Sequence, residues 1–176
     1  MLKLTDIYKQ LKEEEIANQK LKYKLFVDMD QVLTDFDSRF EFFAGLSPRE
    51  YEQKYGLNKF WEIIGKVGAD FWSKMSWMPE GKQLWDYIKK YNPSILSAPS
   101  KEASSRYGKR LWVQEHIPGT PLILASREKK KNYAGKNHIL IDDREDNINE
   151  WVYAGGIGIQ FKSTSQTISD LKKLGL

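Results

Sequence analysis

Five short runs of consecutive apolar residues constrain this chain more than any other feature. They are Lys24-Leu25-Phe26-Val27-Asp28, Ser94-Ile95-Leu96-Ser97, Leu122-Ile123-Leu124, His138-Ile139-Leu140-Ile141-Asp142 and Gly158-Ile159-Gln160-Phe161. Apolar residues that do not alternate with polar ones describe strands buried on both faces, which is the condition of a parallel sheet covered by helices. The intervening segments supply those helices. Leu84, Trp85 and Ile88 fall at helical spacing, as do Leu111, Trp112, Glu115 and His116, and again Ile148, Trp151 and Val152. Strands alternating with helices over 176 residues predict one α/β domain, a doubly wound, Rossmann-like parallel sheet sandwiched by helices.

Two segments stand outside the alternation. Leu4, Ile7, Tyr8 and Leu11 form an apolar stripe in residues 1–22, which predicts an amphipathic helix laid against the body, with a partner-binding arm as the alternative. Residues 37–78 carry no strand signal. Ser47-Pro48-Arg49-Glu50 has an N-cap, a proline at the first helical position and a glutamate at N3, and Asn58 is the expected cap of a following helix through Phe60, Trp61, Ile63 and Ile64. A small helical cap inserted after the first strand follows, with residues 23–36 and 79–176 as the core.

Composition narrows the chemistry. The chain has no cysteine and two histidines, His116 and His138, so disulfides, thiolate nucleophiles and Cys- or His-rich metal sites are excluded. Twenty-eight basic residues less 24 acidic ones leave a net charge of +4, which suits an anionic ligand without demanding nucleic acid. No segment has the length of apolar sequence needed to cross a bilayer or to act as a signal peptide, so a cytoplasmic protein without membrane contact is the expectation.

In open parallel sheets ligands bind beyond the carboxyl ends of the strands. There the first strand delivers Asp28, Asp30 and Asp35, and the fourth delivers Asp142 and Asp143. Carboxylates crowded at one edge raise one another's pKa unless a cation neutralises them, and a set without His or Cys suits Mg²⁺. Residues two apart at a strand end can face one bound group, which leaves Asp28 to attack as an oxygen nucleophile and Asp30 to handle protons.

Asp28-Met29-Asp30-Gln31-Val32-Leu33-Thr34-Asp35, then Ser97, a downstream lysine and Asp142-Asp143 resemble the four ordered motifs of the haloacid dehalogenase superfamily of phosphotransferases. Lys59-Phe60-Trp61, Phe71-Trp72, Tyr107-Gly108-Lys109-Arg110-Leu111-Trp112-Val113 and Ile139-Leu140-Ile141-Asp142-Asp143-Arg144 further resemble its 5'(3')-deoxyribonucleotidase branch. The resemblance spans residues 24 to 161. It implies that Asp28 attacks phosphorus and binds Mg²⁺, that Asp30 serves as general acid and base and binds the metal through its carbonyl, and that Asp142 and Asp143 complete the metal site. It also implies that Ser97, Lys109 and Lys129 hold the phosphate, and that Phe36, Phe60, Trp61 and Trp72 line a nucleoside pocket. Aromatic stacking suits such a ligand, while packing of the insert's own core is the competing use of these rings.

The expected activity is therefore a Mg²⁺-dependent phosphomonoesterase acting on (deoxy)nucleoside monophosphates through an aspartyl-phosphate. A phosphatase for nucleic-acid 3'-phosphate ends or another small metabolite is one alternative, and a retired scaffold serving as an interaction module is another. A homo-oligomer is compatible with all three. Two departures bear on specificity: Gln31 stands where the superfamily usually has glycine, and Glu62 follows Phe60-Trp61 where the branch commonly has an apolar residue.

Overall fold

The computed structural model describes residues 3–176, so the first two residues of the N-terminal segment lie outside the described residues. Five strands, β1 (Lys24–Val27), β2 (Ser94–Ser97), β3 (Leu122–Leu124), β4 (His138–Asp142) and β5 (Ile157–Gln160), form one sheet in the order β3-β2-β1-β4-β5. Every pairing is parallel. The three central strands bury their apolar runs and the two edge strands are only half-buried, as expected of a sheet covered on both faces. The chain builds outward from β1 to β3 on one side and from β4 to β5 on the other. The strand order therefore reverses between β1 and β4, which is the position where doubly wound sheets leave a crevice.

Register sets what meets there. Val27 pairs with Ile95 of β2 and with Ile141 of β4, so the residues after Val27, Ile141 and the end of β2 emerge side by side. Asp28 is tied in directly, its N–H donating to the Ile141 carbonyl at 2.8 Å. Helices α6 (Gly81–Ile88), α7 (Ala103–His116), α8 (Arg127–Lys130), α9 (Glu145–Tyr153) and α10 (Thr164–Lys173) clothe the sheet. They bury the predicted residues Leu84, Trp85, Ile88, Trp112, Ile148 and Trp151, while Val152 remains exposed.

Between β1 and α6 lie four helices, α2 (Phe36–Ala44), α3 (Pro48–Tyr55), α4 (Leu57–Val67) and α5 (Ala69–Ser73). The capping box of α3 forms as its sequence predicts, Ser47 and Glu50 each accepting from the other's backbone. The start of α4 differs. Gly56 adopts φ +82° at the N-cap position, so Asn58 falls in the first turn and caps nothing. The insert is mounted on a two-strand neck: Asp35 N donates to Ser76 O at 2.9 Å, Met78 N donates to Leu33 O at 2.8 Å, and Thr34 bridges Trp77 in antiparallel sense.

α5 also packs on α7, at Gly108. A Cβ there would lie 2.6 Å from the Trp72 Cβ and against the Ala69 carbonyl. α1 (Leu4–Lys22) meets the body through Ile16, but Leu4, Ile7, Tyr8 and Leu11 are exposed. This corrects the expectation that the stripe packs on the body: the anchoring residue lies in the second half of the helix, and the first turns run past the surface. Among the described residues no helix is long and apolar enough to cross a membrane. We predict that Gly108→Ala lowers the unfolding free energy by about 1–3 kcal/mol, read from urea midpoints, because the added methyl has backbone against it.

Candidate active site

Two buried lysines organise the crevice. Lys130, at the last position of the one-turn helix α8, is 2% exposed, and its Nζ lies 2.9 Å from Asp28 Oδ2 and 2.7 Å from Asp142 Oδ2. Burial alone would pull this ammonium's pKa down, but the charges of Asp28 and Asp142 outweigh it and hold the group above its ordinary value. Asp142 is further fixed by the Arg144 N–H at 3.0 Å and by Asn147 Nδ2, which reaches both carboxylate oxygens at 2.9 and 3.0 Å. The second oxygen of Asp28 accepts from the Met29 N–H at 2.7 Å.

Lys109 serves the other half of the site. All three of its protons are engaged, with Asp30 Oδ1 and Oδ2 at 2.7 and 2.6 Å and Ser97 Oγ at 3.1 Å, and its charge sits 5.0 Å above the centre of the Trp72 ring. The loop between the two halves turns tightly. Leu33 and Thr34 N–H groups both donate to the Met29 carbonyl, and the Thr34 hydroxyl reaches the same carbonyl at 3.1 Å and Asp30 Oδ1 at 3.3 Å. Gln31 takes φ +62° at the apex of this turn, a left-handed conformation that explains why glycine is a natural occupant and that costs a side-chain-bearing residue about 1–2 kcal/mol.

The predicted residues divide accordingly. Asp28, Asp142 and Asp143 gather in one cluster, and Asp30, Ser97 and Lys109 in an adjoining one. Lys129 joins neither: it is exposed, and its neighbour Lys130 takes the buried place, because successive residues of a helix point about 100° apart. Of the four aromatic residues, Trp72 is buried beneath Lys109 and Phe36 lies against it with ring centres 5.7 Å apart. Phe60 stacks on Phe40 at 4.4 Å within the insert's own core, and Trp61 is 38% exposed, edge-on to Phe60. Sequence reasoning passed over Lys130 and Asn147. Asn147 carried a signal, since it shares a helical face with the buried Trp151 four residues on and is the polar group on that apolar face.

No family model matches the chain, and no curated protein matches it. Solved structures do. A haloacid dehalogenase-superfamily hydrolase from Ehrlichia chaffeensis superposes with a TM-score of 0.55 at 13% identity, covering 87% of this chain and 97% of its own. A predicted phosphatase from Clostridium acetobutylicum gives 0.52 at 13% identity over 88% and 99%. The L-2-haloacid dehalogenase of Xanthobacter autotrophicus gives 0.51 at 10% identity over 87% and 83%. The chain has the fold of these hydrolases. At such identities the likeness speaks for the haloacid dehalogenase fold alone, and the chemistry of the crevice rests on its own residues.

Those residues fit a hard divalent cation. Asp28, Asp142 and Asp143 each offer a carboxylate oxygen, all within 4.8 Å of one another. Three carboxylates against the one ammonium of Lys130 leave two negative charges in a buried place. Asp143 registers the excess, its carboxyl pushed up to about 7 by burial and then by the charges of Asp28 and Asp142. The carboxylate of Asp30 stays outside this set, held by Lys109.

Two predictions follow from the electrostatics. Between its ordinary value of 3.8 and about 7, Asp143 keeps its proton when folded and loses it when unfolded, so in chelator the unfolding free energy falls as pH rises through that window. Denaturant melts across pH should show this slope, and Asp143→Asn should flatten it. Lys130→Met strands two buried carboxylates and should cost about 3–5 kcal/mol, whereas Lys129→Met should change the urea midpoint by less than about 0.5 kcal/mol.

Proposed function

We propose that the protein is a Mg²⁺-dependent phosphomonoesterase that hydrolyses (deoxy)nucleoside monophosphates through a phosphoryl group carried on Asp28. The observation that carries this reading is the division of labour at the end of β1. Asp28 belongs to the carboxylate triad, while Asp30, two residues on, is turned to Lys109, which also reaches Ser97. That separation supports a reading in which one carboxylate attacks while the other, paired with a separate cation, handles protons.

In the first step a carboxylate oxygen of Asp28 forms a bond to phosphorus as the bond to the leaving oxygen breaks. Asp30 gives that oxygen its proton. In the second step Asp30 takes a proton from water, whose oxygen attacks the phosphorus and returns the Asp28 carboxylate with release of inorganic phosphate. In this reading Ser97 and Lys109 receive the phosphoryl oxygens, which requires Lys109 to exchange part of its contact with Asp30 for the substrate. A divalent ion held by Asp28, Asp142, Asp143 and the Asp30 carbonyl would neutralise charge on the transferring group. Lys130 keeps Asp28 and Asp142 in place beside it. Phe36, half-buried and packed against the buried Trp72, is the ring on which a base could stack.

The test is hydrolysis of p-nitrophenyl phosphate with and without EDTA, followed by a panel of dUMP, dTMP, ribonucleotides, sugar phosphates and 3'-phosphorylated oligonucleotides. Activity should vanish in chelator and fall at least about 10³-fold in Asp28→Asn. Turnover that survives Asp28→Asn overturns the covalent route, turnover of the oligonucleotides alone moves the substrate to nucleic-acid ends, and no turnover of any ester leaves the scaffold reading.

A further inference from the structure

α1 is held at one end and open at the other. Ile16 packs on the core, and Glu15 lies within the field of Lys90, so the second half of the helix rests over the turn Lys89–Tyr91. Ahead of that anchor Leu4 is 84% exposed, Ile7 41%, Tyr8 65% and Leu11 59%. These four residues occupy one face over two turns, in the i, i+3, i+4, i+7 spacing of a helix that packs on something. A contiguous apolar face of this kind is a contact surface, and among the described residues nothing covers it.

We infer that this face is covered by the same face of a second copy of the chain, the two α1 helices crossing antiparallel about a two-fold axis between Ile7 and Tyr8. Such a contact requires one patch to be complementary to itself. About that axis Leu4 of one copy meets Leu11 of the other, Ile7 meets Tyr8, and the i, i+4 ridges Leu4–Tyr8 and Ile7–Leu11 interleave in the commonest class of helix packing. Charge fixes the orientation. Lys3 and Glu14 lie on the same border of the stripe, about three turns apart, and antiparallel helices bring like borders together, so Lys3 of each copy faces Glu14 of the other.

Among the described residues neither of these two closes an ion pair within the chain, whereas Lys9 pairs with Glu13 at 4.0 Å and Lys12 with Glu15 at 2.8 Å. The run Glu13-Glu14-Glu15 beside the stripe also disfavours an anionic lipid surface as its occupant.

Sedimentation velocity of the full chain from about 1 to about 100 µM tests this, together with flotation on anionic lipid vesicles. A reversible monomer–dimer equilibrium is expected, and Leu4→Glu with Leu11→Glu should raise its dissociation constant at least about tenfold while leaving the hydrolytic rate unchanged. Glu14→Lys should weaken the dimer, and Lys3→Glu in the same chain should restore it. A wild-type chain that stays monomeric, a dimer indifferent to the stripe, or vesicle binding without self-association overturns the proposal. Failure of the charge reversal to restore the dimer overturns the antiparallel register.

Discussion

The Lys130 ammonium is the group on which the rest of the crevice depends. Parallel pairing of β1 with β4 forces Asp28 and Asp142 to emerge together, and a sheet covered on both faces leaves them little water. Two carboxylates brought out of solvent side by side are unstable without a cation between them, and α8 supplies one from the only turn it has. Asn147 and the Arg144 N–H further orient Asp142, and Asp143 is the carboxylate left without a cation of its own. The charge left over in this cluster is of the kind a divalent ion would balance.

The sheet was legible because its strands are apolar without interruption, a pattern that only a doubly covered parallel sheet tolerates. Asp28, Asp30, Asp142 and Asp143 were legible because strand ends are where such sheets place ligands, whereas Ser97 and, on α7, Lys109 were legible only through the family resemblance. The limits were equally physical. Lys129, Lys130 and Lys131 are indistinguishable by composition, and which of them turns inward depends on the rotation of a single helical turn that only tertiary packing sets. The stripe of α1 illustrates a second limit, since an apolar face in the sequence says that something covers it and not what.

Phe60 marks a third. Its aromatic character fits a nucleoside pocket and a packed core equally well, and it stacks on Phe40 inside the insert. Trp72 does two things at once, filling the joint between α5 and α7 and lying under the Lys109 charge. The side chain of Gly108 is absent for the same reason, since any Cβ would push α5 off α7 and displace the next residue, Lys109. The packing of α5 on α7 and the setting of the Lys109 charge are therefore not separable.

The antiparallel neck of residues 33–35 with 76–78 has a consequence for how the chain can change. The polypeptide leaves the sheet and returns to it at one point, closed by main-chain hydrogen bonds that make no demand on side-chain identity. Helices α2 to α4 can lengthen, shorten or be exchanged without shifting the register of β1 against β2 and β4, whereas α5 is tied to α7 through Trp72 and Gly108. Selection can therefore redraw that part of the insert while the carboxylates stay where they are, much as a tool changes its jaw and keeps its handle.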